Sequence, residues 1–91
     1  MKRGKTKEGF EFEVNEKVLK DMEFLDILHD VVSGDDEKAV NAYPELLNKI
    51  LGKEQKQKLY DFIRDSEGIV PIEAVSEVVK QIIEQVKEIK N

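Results

Sequence analysis

In the stretch 64–75, RDSEGIVPIEAV, acidic residues, a glycine, an aliphatic residue and a glutamate follow one another as in the second half of a calcium-binding EF-hand loop. Such a loop takes oxygen ligands from positions 1, 3, 5 and 12, turns at a glycine in position 6 and carries an aliphatic residue at 8. With Gly68 at 6, Asp65, Glu67 and Val70 occupy 3, 5 and 8, but Ile63 and Ala74 fall at 1 and 12, where the anchoring carboxylates belong. Shifting the register to recruit Glu73 forfeits the glycine. Two hydrocarbon side chains cannot anchor an ion, so the stretch is read as a turn joining two helices.

The remaining reactive residue types form no constellation. His29 is the sole histidine and there is no cysteine, so a zinc site would need a mainly carboxylate ligand set, which zinc rarely accepts. His29 continues the stripe Met22, Leu25, Val32 and is expected at the edge of a core. Twenty carboxylates make close pairs such as Asp35–Asp36 inevitable, and an acid/base couple also needs a pocket that separates two pKa values. Ser33 and Ser66 lack a GxSxG context and a base. Gly34, Gly52 and Gly68 are too far apart to cradle a phosphate. The chain is therefore expected not to be an enzyme and to hold no cofactor or metal. An alternative reading is a small helix-turn-helix DNA-binding regulator that turns at Gly52 and presents Lys53, Lys56, Lys58 and Arg64. The interleaved Glu54, Asp61 and Asp65 oppose it.

Ninety-one residues make one domain with a single modest core. The net charge of −5 is unevenly spread: Lys2, Arg3, Lys5 and Lys7 against Glu8 make the first nine residues +3 and leave −8 on the rest. An acidic body suits neither duplex DNA, whose affinity comes from phosphate neutralisation, nor nucleic acid generally. No apolar run approaches a membrane span, and no apolar segment follows the basic start as a signal peptide requires. These features predict a soluble chain in a reducing cytoplasm.

The elements are punctuated clearly. GFEFEV alternates, placing Phe10, Phe12 and Val14 on one face and Glu11 and Glu13 on the other, the mark of a half-buried strand over 10–14. Residues 1–9 are either a basic arm or the first strand of a hairpin turning at Glu8-Gly9. Asn15 offers an N-cap, and Val18, Leu19, Met22, Leu25, Leu28 and Val32 predict a helix over 15–33 that stops at Gly34. A helix over 36–52 carries Val40, Tyr43, Leu47, Ile50 and Leu51, with Pro44 expected to split off DDEKAVNAY as a short first piece. A third helix, 53–65, has Leu59, Phe62 and Ile63 on its apolar side. After Gly68, Pro71 opens a last helix over 71–90 whose seam is Ile72, Val75, Val79, Ile82, Val86 and Ile89. The expected fold is mainly α: a small domain of four to five helices with one short N-terminal β-strand or hairpin.

The order of these features, TKEGFEFEVNE, LKDMEFLDILHDV, SGDDEKAV and LLNKILGKEQKQKLYDFIRDSEGIVPIEAVSEVVKQIIEQV, resembles the tail assembly chaperones of long-tailed, siphovirus-type bacteriophages and prophages, over residues 6–89. The resemblance implies a non-enzymatic protein of the host cytoplasm, absent from the mature virion, that binds the tape measure protein and keeps its long apolar helices soluble during tail tube assembly. It also implies a longer form, made by a ribosomal frameshift, whose extra domain contacts the tail tube protein. The family has no catalytic residues to carry over. From the apolar pattern itself, Val79, Ile82, Val86 and Ile89 on the last helix are expected to meet the partner. Phe10, Phe12 and Val14 are expected to form a partner edge or one for self-association into a homo-oligomer.

Overall fold

The computed structural model describes residues 2–88, which form an antiparallel hairpin, a 3-10 turn and three α-helices. Strands β1 (Lys2–Lys5) and β2 (Glu11–Val14) pair with Lys2 opposite Val14 and Lys5 opposite Glu11. Buried Thr6 closes the connection: its hydroxyl accepts the Phe10 N–H at 3.1 Å and its carbonyl accepts the Gly9 N–H at 3.0 Å. Gly9 sits at φ +104°, a conformation that only glycine adopts readily. Phe10, Phe12 and Val14 point inward and Glu11 and Glu13 outward, so residues 2–5 are the first strand of a hairpin, and the alternation has its expected faces.

The helix expected over 15–33 is instead two pieces. Glu16–Lys20 is a 3-10 turn capped by Asn15, whose side chain accepts the Lys17 N–H. Asp21 then breaks the run in extended conformation (φ −89°, ψ 119°) and caps α1 (Met22–Val31) by accepting the Glu23 N–H. A short acidic side chain that bonds the backbone two residues ahead competes with helix continuation, and here that bond starts a new helix. The break also resets the rotational phase. Phe24 is buried and Ile27, Leu28 and Val31 pack against the core, while Met22, Leu25 and Val32 of the expected stripe face solvent.

Helix α2 (Asp36–Ile63) starts at Asp35, whose carboxylate accepts the N–H groups of Glu37 and Lys38. The split expected at Pro44 does not occur. Its ring is exposed, and Ala39 and Tyr43 before it and Leu46 and Leu47 after it enter the same core, so packing outweighs the missing N–H bond. The boundary expected after Gly52 is a break within one element: Gly52 has φ +81° and ψ 163°, and helix resumes at once. The four to five helices expected are thus three. Helix α3 (Ile72–Glu88) follows a turn that Asp65 organises, its carboxylate accepting the N–H groups of Glu67 and Ile69 at 2.9 and 3.0 Å.

Val75, Val78, Val79, Ile82, Ile83 and Val86 make α3 the apolar centre of the molecule, packed on α2 and the underside of the hairpin. Leu46, Leu47, Leu59 and Ile82 have no exposed surface. Removing each such side chain from water contributes about 1.5–3 kcal/mol, and this burial is what holds an otherwise marginal two-stranded sheet in place.

Candidate functional site

Six of the seven residues expected to meet a partner are interior. Phe10, Phe12, Val14, Val79, Ile82 and Val86 are each 0–7% exposed and belong to one apolar cluster. Ile89 lies outside the described residues. The seam on α3 is complete because α2 and the hairpin cover it, and the inward face of β2 is one of the surfaces that do so.

The hairpin edges are closed as well. Gln85 of α3 accepts the Lys5 N–H at 3.2 Å and donates to the Lys5 carbonyl at 2.9 Å. Gln55 of α2 does the same for Glu13, at 2.8 and 2.9 Å, and also donates to the Leu51 carbonyl beside the Gly52 break at 2.8 Å. Each side-chain amide takes the place of a neighbouring strand's peptide group, so the row of free N–H and C=O groups that invites strand addition is interrupted on both sides. Gln81 extends the closure, accepting the Lys7 N–H at 2.8 Å and donating to Glu8, which holds the Glu8 carboxyl below its ordinary pKa.

Apolar surface is exposed elsewhere. Met22 (69%), Leu25 (44%) and Val32 (61%) lie along the outer face of α1 with exposed His29 among them, which removes His29 from the core edge where the sequence put it. Phe62, Ile69 and Ile72 form a second exposed group at the α2–α3 turn, with the Phe62 ring against Phe10 at 5.5 Å. Helix α1 and its C-cap residue Val32 carry three parallel rows offset by one residue: Met22, Leu25, His29 and Val32 outward, acidic Glu23, Asp26 and Asp30 beside them, and Phe24, Ile27, Leu28 and Val31 against the core. The buried row has the denser i, i+3, i+4, i+7 spacing, and that signal was available to identify the outward row as spare.

Beside the acidic row runs a groove of about 460 Å³ lined by Glu23, Asp26, Ile27, Glu45, Asn48 and Lys49. Lys49 bridges Asp21 and Glu23 at 2.8 Å each. The bond to Lys49 holds the Asp21 carboxyl below its ordinary value, and bonds to Asp21 and then Glu23 raise Lys49. The Asn48 amide oxygen is buried without a hydrogen-bond partner. A second groove, about 390 Å³, lies between α2 and α3 among Val40, Tyr43, Tyr60, Val70, Ile72 and Val75, where Tyr43 donates to Ser76 at 3.0 Å and burial pushes the Tyr60 hydroxyl up.

Three of the four cations proposed for a DNA-reading helix are engaged locally. Lys58 approaches Glu54 at 3.8 Å, Arg64 pairs with Asp61 at 3.1 Å and donates to the Gly68 carbonyl, and Lys56 lies over the Tyr60 ring. Asp65, which fitted position 3 of a calcium loop, spends its carboxylate on the turn's own backbone. Among the described residues, no group of three or more His, Asp or Glu side chains converges as a metal site, and no helix is long and apolar enough to cross a membrane. No protein-family model, curated protein or solved structure matches this chain.

Proposed function

We propose that this chain is a non-enzymatic binding protein whose client is an apolar helix: a tail assembly chaperone of long-tailed phages that keeps the tape measure protein soluble while the tail tube is built. The observation that carries the reading is the outward row of α1, where a helix already anchored by one apolar face holds a second apolar face in solvent beside a row of carboxylates. Such a face gains free energy when covered, and the surrounding charge keeps the uncovered protein dispersed. The order of sequence features over residues 6–89 supports the same reading. It acts in the host cytoplasm and is not part of the mature virion, and a frameshifted longer form contacts the tail tube protein.

Co-expression with a tape measure protein tests this. The expected result is that the client moves from the insoluble to the soluble fraction and is retained with this chain on affinity capture. A client equally insoluble with and without the chain, and never captured, overturns the proposal.

A further inference from the structure

Resting on the reading of this chain as a helix-binding protein, we propose that the outer face of α1 is the docking surface, and that it selects an amphipathic helix carrying a row of lysines or arginines alongside its apolar stripe. Three observations lead here. The outward row Met22, Leu25, His29 and, at the C-cap of α1, Val32 runs in steps of 3, 4 and 3 residues, as an opposing helix's stripe requires. Its flank is of one sign: Asp26 and Asp30 stand one residue after Leu25 and His29, roughly 100° further round the helix, and both are exposed. The neighbouring groove adds Glu45 of α2, while its cation, Lys49, is taken up by Asp21 and Glu23, so a helix laid on the stripe meets the carboxylates of Asp26, Asp30 and Glu45 along one side.

The second exposed group fits this partner poorly. Ile69 lies in a turn, and its surroundings mix Arg64 with Asp65, Glu67 and Glu73, so it offers neither a straight row nor one sign of charge. An apolar stripe alone would take any amphipathic helix. The acidic row adds discrimination, because a helix with glutamates in the matching row meets like charge. The charges also raise the rate of encounter with a basic segment, an effect that salt suppresses.

The test uses fluorescence anisotropy with two labelled 18-residue amphipathic peptides that share a leucine stripe, one flanked by lysines and the other by glutamates. The lysine peptide is expected to bind at least tenfold more tightly, and to weaken several-fold between 50 and 300 mM salt. Asp26→Asn with Asp30→Asn should raise its Kd about three- to tenfold, Leu25→Ser with Val32→Ser at least tenfold, and Ile72→Ser less than twofold. All these residues are exposed, and unchanged circular dichroism and thermal midpoint verify that each variant folds. Equal affinity for the two peptides, or undiminished binding by the Leu25→Ser/Val32→Ser variant, overturns the proposal. The client experiment separates the two claims. If wild type and Leu25→Ser/Val32→Ser capture the tape measure protein equally, the docking surface is wrong while the chaperone reading stands. If wild type captures none yet binds the lysine peptide with this dependence, the surface stands and the client assignment falls.

Discussion

Gln55 fastens three separate pieces of the chain, and replacing it by methionine isolates that role. Methionine has nearly the same length and helix propensity, so only the amide is lost. The structure gives that amide three hydrogen bonds of 2.8–2.9 Å, two to Glu13 of β2 and one to the Leu51 carbonyl at the Gly52 break. At about 0.5–1.5 kcal/mol net per bond, three would total roughly 1.5–4.5 kcal/mol. The two at Glu13 lie where water can replace the amide, which reduces the expected loss to about 1–2 kcal/mol. For a domain of this size that lowers Tm by roughly 4–16 °C. Gln85→Met removes two bonds, one of them longer at 3.2 Å, and should cost less. Urea denaturation at constant m-value measures both, and hydrogen exchange at the Glu13 amide reports the edge directly: it should speed up in Gln55→Met before global unfolding. A Gln55→Met protein within about 0.3 kcal/mol of wild type, with unchanged Glu13 exchange, would refute the edge-closing account.

Three further outcomes follow from the same geometry. Ile82→Ala, at a side chain with no exposed surface, should cost about 2–5 kcal/mol by chemical denaturation; a variant of undiminished stability would mean that the α3 seam is not the core. Gly52→Ala finds no atom within 4 Å of its new Cβ, so its expected loss of roughly 1–3 kcal/mol is purely conformational, and a neutral effect would mean that the break at φ +81° is not maintained in solution. The depressed Asp21 carboxyl contributes stability above its ordinary value of 3.8 that is lost as pH falls through its folded value, and the raised Lys49 contributes below 10.5 and loses it as pH rises through its own. Lys49→Met should therefore differ from wild type by a constant amount between about pH 5 and 9, with the gap closing on both sides; urea midpoints that differ equally at pH 3 and pH 7 would contradict the ion pairs.

What could be read in the sequence was local. Alternation in Phe10, Phe12 and Val14 fixed the inward face of the hairpin, Asn15 marked a helical start, and Pro71 preceded α3, because each depends on a few adjacent residues. The two apolar rows of α1 could be ranked only by the denser spacing of the buried one. Both satisfy a helical period, and the 3-10 turn with its break at Asp21 uncouples the phase of Val18 from that of Met22. The burial of the expected partner-binding residues was hidden for a related reason. A regular seam such as Val79, Ile82 and Val86 reads identically whether a partner or the protein's own helices cover it, and only the tertiary fold supplies α2 and the hairpin as the cover. Nothing in the local sequence pairs Gln55 with Glu13 or Gln85 with Lys5, since those contacts span 42 and 80 positions.

That last separation sets an order in time. During synthesis at about 5–20 residues per second, Lys5 precedes Gln85 by roughly 4–16 s. Until α3 is made, Phe10, Phe12 and Val14 have no α3 to rest on and β1 has no glutamine along its outer side. The hairpin is thus translated well before the helix that completes it, and a ribosome-bound chain that stops short of α3 displays apolar groups that the folded domain conceals.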